Sequence, residues 1–332
     1  MLRNSMKKIL FSVTALFAVV SLVAAGCSDD NDNENVSSAD KPSIVVTTNI
    51  LGDVVSNMVG DSFNVEVIMP PGSDPHDFQA SAQQVEKMMS ADLLIVNGAN
   101  FEEGMLSVIE SAEADGVMVF EAISVVSQLE GSDDHGHDDH EGHDDHDDHE
   151  GHDHGGIDPH FFTDPARMAV VVEELSEFLV ANFPNVDQGF VSTANDYAQE
   201  LIDLDEEVNE ILSEIPQEGK VLVTNHAVFA YFADSYGFEI LGEIIPSAST
   251  LSSANAQQLA SLADELSSNS VKAIFADASA SDTLARTLAA EVGDIEVITL
   301  FTESLGEPGS SGANYIEMVK FNAQAIASGL VG

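Results

Sequence analysis

Eleven histidines are distributed very unevenly along this 332-residue chain. Eight of them, His135, His137, His140, His143, His146, His149, His152 and His154, alternate with Asp, Glu and Gly between residues 131 and 156. The other three stand alone in turn-forming settings. His76 ends Pro70-Pro71-Gly72-Ser73-Asp74-Pro75-His76, His160 lies in Asp158-Pro159-His160, and His226 ends Thr224-Asn225-His226. A single loop histidine is ordinarily just a hydrogen-bonded loop residue. Three in the same kind of corner, beside a histidine tract, point instead to a divalent cation held by imidazole nitrogen. A closed tetrahedral shell needs a fourth ligand, here an oxygen. Two carboxylates follow apolar runs, Asp277 after 273–276 and Glu303 after 295–300, and the residues alone do not choose between them. Three histidines and an activated water would also suit a zinc hydrolase, but the chain has no HExxH or comparable helix motif.

For these histidines to converge, the chain must place its corners at one end of its sheets. Short β-branched runs at 43–47, 63–69, 93–96 and 117–120 are followed later by runs at 220–223, 238–244, 273–276 and 295–300. Helical periodicity lies between them at 81–89, 101–111, 227–236, 254–267 and 281–292. This alternation predicts an α/β fold with parallel sheets flanked by helices. His76 and His226 then follow strand C-termini, where ligand sites of open α/β sheets lie. No strand pattern occurs from 162 to 219. Residues 165–182 and 186–215 read as two helices in series, with Leu201, Leu204, Val208 and Leu212 on one apolar face. The expected organisation is an N-terminal lobe over 43–185, a linking helix over 186–217 and a C-terminal lobe over 218–332. Residues 131–156 cannot bury a core and are expected as a solvated loop inside the first lobe.

The start of the chain speaks to location. Arg3, Lys7 and Lys8 precede an apolar run over 9–23, which ends in Ala24-Ala25-Gly26-Cys27. A basic start, a short apolar stretch and small residues before the only cysteine read as a lipoprotein signal over 1–26, with Cys27 lipid-modified and 27–42 a tether. A single cysteine excludes a disulfide framework and a thiolate metal site. The chain carries 58 acidic against ten basic residues, a net charge of −48, and three of the ten basic residues lie in the signal. Such a surface binds neither nucleic acid nor anionic lipid by charge; it suits a saline habitat and secondarily concentrates cations.

Four segments occur in order: Gly72-x-Asp74-Pro75-His76; Asp158-Pro159-His160 with Asp164-Pro165; Thr224-Asn225-His226-x-x-Phe229-x-Tyr231-Phe232; and Thr302-Glu303-Ser304-Leu305-Gly306. Together with Tyr236-Gly237 and Tyr315-x-x-Met318, they resemble the ligand segments of the zinc/manganese-type solute-binding proteins of metal ABC importers, the ZnuA/TroA group (cluster A-I). The resemblance runs from Ser43 to the C-terminus and includes an acidic His-rich loop ahead of the second ligand. It implies two α/β lobes bridged by one rigid helix with the metal between them, and a monomer that delivers its ion to a membrane permease with its ATPase. By position it implies His76, His160, His226 and Glu303 as ligands, with Asp277 or a water as substitutes for Glu303. The family usually has tryptophan where Phe162 stands and aspartate where Glu303 stands. Three imidazoles and one carboxylate suit zinc. Manganese-type members commonly carry glutamate at the position of His226, so manganese is the alternative. The loop histidines are expected to bind further ions weakly, either for capture and hand-over or as a buffer. A metal-storing or adhesive surface lipoprotein is the remaining alternative function, and would need no permease.

Overall fold

A computed structural model describes residues 41–131 and 156–331. Cys27 and the eight loop histidines therefore lie outside the described residues. The N-terminal lobe holds strands β1 (Ser43–Val46), β2 (Asn64–Val67), β3 (Leu93–Val96) and β4 (Met118–Glu121), and helices α1 (Asn49–Val59), α2 (Ala82–Met89) and α3 (Leu106–Ala114). The C-terminal lobe holds β5 (Val221–His226), β6 (Glu239–Ile245), β7 (Ala273–Asp277) and β8 (Glu296–Leu300), with α6 (Ala230–Tyr236), α7 (Ala256–Asn269) and α8 (Thr283–Val292). Helices α4 (Pro165–Asn182), α5 (Phe190–Leu212) and α9 (Tyr315–Val331) complete the fold.

Both sheets are wholly parallel and share one topology, β2-β1-β3-β4 and β6-β5-β7-β8. Strand order reverses direction beside β1 and beside β5, so each sheet has a switch point at which the loops after its strands diverge. β3 is Leu-Leu-Ile-Val and buried at every position, as a central strand covered on both faces must be.

The long helix α5 starts later and ends earlier than the expected 186–217. At its start the Asp187 carboxylate accepts the Gly189 amide in a turn. Beyond Leu212, Ser213 to Pro216 turn away before a short 3-10 stretch, Gln217–Gly219. Leu201, Leu204, Val208 and Leu212 are all buried, at spacings of three or four residues. They pack into one continuous apolar cluster that runs from Ile44 of β1 to Leu330 of α9. α5 lies against α4, α1 and α9, so the lobes share a helical spine broader than a single connecting helix. The other helices follow the expected positions closely, except that 101–105 forms a turn and a 3-10 segment before α3. α1 and α9, which the sequence reading does not single out, each bury eight residues.

Candidate metal centre

Each of the three isolated histidines is presented by a different local device. After β2, the chain turns through Pro70, Pro71 and Gly72, the last at φ +75°, a left-handed conformation that glycine adopts without steric cost. The Asp74 carboxylate then accepts the His76 amide at 2.9 Å and fixes the turn. The second Asp-Pro-His repeats the device: Asp158 Oδ1 accepts the His160 amide at 2.8 Å. The Asn97 side chain, at the end of β3, donates to the Pro159 carbonyl at 2.9 Å and ties that segment to the sheet. His226 is the last residue of β5, and the Thr224 hydroxyl donates to its carbonyl. Glu303 follows β8 by three residues.

These four side chains meet between the lobes. All are buried, with His160 and His226 fully inaccessible. One ligand atom from each lies within 4.8 Å of all the others. Glu303 sits at the focus: its Oε1 is 2.8 Å from His226 Nε2 and 3.2 Å from His160 Nε2, and its Oε2 is 3.6 Å from His76 Nε2. A tetrahedral zinc with bonds near 2.05 Å separates its ligand atoms by about 3.3 Å. The three distances from Glu303 to the histidines bracket that value. His76 Nε2, His160 Nε2 and Glu303 Oε2 are buried without a hydrogen-bond partner. Buried polar atoms without partners are costly, and a shared cation would satisfy all three at once.

The opposite ring nitrogens decide which atom is offered. His160 Nδ1 is 2.8 Å from Asp158 Oδ1, and His76 Nδ1 is 3.1 Å from Glu103 Oε1. A proton held at Nδ1 by a carboxylate leaves Nε2 as the lone-pair donor. Among the described residues, His226 Nδ1 faces the Asn225 carboxamide oxygen, at 3.4 Å. Burial alone would push the His160 imidazole down, but the charges of Glu303 and Asp158 outweigh it and hold the group up at about 10. Burial would raise the Glu303 carboxyl, yet His160 and His226 hold it well below the carboxylate range. Without metal, the proton on His160 takes the place of part of the cation's charge.

Asp277 stands outside the converging set. Its Oδ1 accepts the Ser279 amide at 2.6 Å and the Ser279 hydroxyl; its Oδ2 accepts the Thr302 amide at 3.2 Å and the Thr302 hydroxyl. With both oxygens so engaged, it braces the residue beside Glu303. Phe162 is buried 5.9 Å from the His160 ring, and its carbonyl accepts the Tyr315 hydroxyl. Sequence reasoning missed Glu103, which is 27 residues from His76 and carries no local signal. The role of Asp158 had a signal, because Asp-Pro-His occurs twice, but in the first copy the aspartate reaches Thr250 of the other lobe instead of the ring.

Residues 44–329 match the family described as zinc-uptake complex component A, periplasmic. The manganese ABC transporter substrate-binding lipoprotein PsaA of Streptococcus anginosus is 27% identical over 98% of this chain and 99% of its own length. The manganese-binding lipoprotein MntA of Halalkalibacterium halodurans is also 27% identical, with the same coverage. Among solved structures, the periplasmic zinc-binding protein TroA of Treponema pallidum superposes with a TM-score of 0.74 at 27% identity, covering 87% of this chain and 99% of its own. A manganese-bound periplasmic metal-binding protein from candidatus Liberibacter asiaticus shares the fold, with a TM-score of 0.72 at 20% identity over 87% of this chain and all of its own. A centre built for a cation between two parallel-sheet lobes and a family match over nearly the whole chain lead to one conclusion: this chain belongs to the ZnuA family of extracytoplasmic metal-binding components of ABC importers, which are solute-binding proteins and not enzymes.

Proposed function

We propose that this chain captures zinc outside the membrane through His76, His160, His226 and Glu303, and gives it up to a permease–ATPase importer. The observation that carries the reading is the convergence of three imidazole Nε2 atoms and one carboxylate in a buried pocket. A nitrogen-rich, four-coordinate shell favours zinc over manganese, which prefers more oxygen ligands and lies lower in the affinity order. The burial of Glu303 and Asp158 beside the histidines adds anionic charge that a dication offsets. Manganese is the second reading, favoured by relatives named for manganese. Equilibrating the mature chain with equal zinc and manganese and counting retained ions decides between them: one tightly held zinc supports this reading, one manganese the other.

Cys27 is the proposed lipid anchor. Cys27→Ser should release the protein from membranes or leave it unprocessed, and unchanged processing and membrane partition would remove that role. The eight histidines of 131–156 are proposed to hold further zinc ions more weakly, because a His, Asp, Glu and Gly composition supplies no apolar side chains to preorganise ligands, and each ligand recruited then costs chain entropy. Deleting 131–156 should abolish the weak ions and leave the tight one.

A further inference from the structure

One buried carboxamide connects the segments that carry Glu303 and His76. Asn49 is the first residue of α1 in the N-terminal lobe and is buried. Its Nδ2 donates to the Pro70 carbonyl at 3.0 Å, at the start of the turn that presents His76. The same nitrogen donates at 2.8 Å to the Ser304 hydroxyl, next to Glu303 in the other lobe. Its Oδ1 accepts the Leu305 amide at 2.8 Å. The Gly72 amide reinforces the junction from the His76 turn, 2.8 Å from Ser304 Oγ and 3.0 Å from the Leu305 carbonyl. One turn further along α1, Asp53 accepts the Tyr315 amide at 2.9 Å, at the far end of the loop that leads from Leu305 into α9.

We propose that Asn49 is a positioning residue for the fourth ligand: its carboxamide clasps Ser304-Leu305 to the N-terminal lobe, so that Glu303 is held at the three imidazoles only while the lobes are together. This rests on the four-ligand reading above and adds the device that ties ligand number to lobe closure. The chemistry is specific to a carboxamide. Both N–H donors and the carbonyl acceptor are in use, so a carboxylate loses the two donors and a hydroxyl cannot span all three partners. Among the described residues, the Glu303 side chain is held in the N-terminal lobe only by the histidines it would share with the metal. Its neighbours Ser304 and Leu305 are held there by Asn49 and Gly72. When the lobes part, those bonds break together and the carboxylate is drawn off with its own lobe, leaving the ion on His76 and His160.

The test uses the mature full-length chain with cobalt(II) as a spectroscopic stand-in and zinc for kinetics. Glu303→Ala sets the reference for a shell without its carboxylate. Asn49→Ala should shift the cobalt absorption toward that reference and speed zinc loss to a chelator on the order of tenfold, as for other residues that orient metal ligands, with little change in zinc capture. Ser304→Ala removes the shared acceptor from the opposite lobe and should give the same two changes; it carries the test alone if Asn49→Ala does not fold. In a Glu303→Ala background, Asn49→Ala should add no further acceleration, because there is no carboxylate left to position. A wild-type cobalt spectrum and zinc loss rate in the folded clasp variants would overturn the proposal, as would independent, multiplying effects in the double variant. If Glu303→Ala itself leaves both readouts unchanged, the four-ligand reading fails and this inference falls with it.

Discussion

The two halves of the centre are built differently. In the N-terminal half, carboxylates touch the rings: Asp158 and Glu103 each face an Nδ1 atom, of His160 and His76. In the C-terminal half Asp277 makes no hydrogen bond to a ligand side chain among the described residues and instead braces Thr302, beside Glu303. His226 has a neutral amide at the edge of hydrogen-bonding distance. Carboxylate-backed imidazoles are more basic and fixed in tautomer, so the N-terminal half is preorganised to receive a cation. The C-terminal half is aligned through its backbone and through the contact with the other lobe. A binding protein that must also release its ion gains from this division, because one half can keep hold while the other withdraws.

The largest effect should come from removing an imidazole of the preorganised half. Saturating zinc at a thousandfold excess over Kd stabilises a folded protein by about 4 kcal/mol. His160→Ala should lose essentially all of that stabilisation, measured as the zinc-induced rise in melting temperature. A rise of wild-type size in this variant would remove His160 from the shell.

Next comes the carboxylate behind the ring. Asp158→Asn keeps the shape and an acceptor for the His160 amide but removes the charge, and should weaken zinc binding about 10- to 100-fold. Glu103→Gln should cost less, a few-fold, because Glu103 is about one-third exposed while Asp158 is almost fully buried, and water screens the more exposed charge. Equal losses in the two variants, by competition titration, would show that exposure does not grade the effect.

How much of this could be read in the chain depends on whether the relevant contacts are local. The corner histidines were legible because proline, glycine and aspartate mark their turns within a few residues, and the parallel sheets were legible because strand and helix periods alternate. Tyr315-x-x-Met318 is legible only through resemblance: the buried face of α9 keeps three- and four-residue spacing from Tyr315 to Leu330, but Ile316 and Phe321 add apolar residues off that face and blur the period. Glu103 and Asn49 were invisible. Their partners lie 27 and 255 residues away, and nothing in a short window of sequence announces a contact made only after two lobes have packed. Asp277 and Glu303 looked equivalent as carboxylates after strands. They part in role because the Ser279 and Thr302 donors use up both oxygens of Asp277.

In the metal-free protein the halves hold one another, and that has a pH signature. His160 is raised above its ordinary ~6.5 to about 10, so its contribution to stability is whole below the ordinary value and lost as pH rises toward 10. Glu303 is depressed below the ordinary ~4.3, so its contribution is whole above that value and lost as pH falls further. Both are intact from roughly pH 4.5 to 6.5. Zinc-free protein should therefore melt a few degrees higher at pH 6 than at pH 9.5, a difference of about 1 kcal/mol or more. Glu303→Gln should shrink that difference, because Asp158 alone then holds the imidazolium. The same slope in both proteins would place the titrating contact elsewhere.

The smallest effect should come from Asn225. Its Oδ1 lies 3.4 Å from His226 Nδ1, at the outer limit of a hydrogen bond, and a carboxamide adds no charge to the ring. Position and orientation of His226 are set largely by β5 itself and by the Thr224 hydroxyl on the His226 carbonyl, contacts that a change at Asn225 leaves standing. Asn225→Ala should therefore weaken zinc binding less than about threefold, the scale of a marginal neutral hydrogen bond. Asn225→Asp provides the opposite arm: a carboxylate at this place would give the C-terminal half the backing that Asp158 gives the N-terminal half. It should tighten zinc and slow its loss to a chelator. If Asn225→Ala costs as much as Asp158→Asn, or if Asn225→Asp leaves zinc loss unchanged, the contrast between a charge-backed half and a backbone-aligned half does not govern this centre.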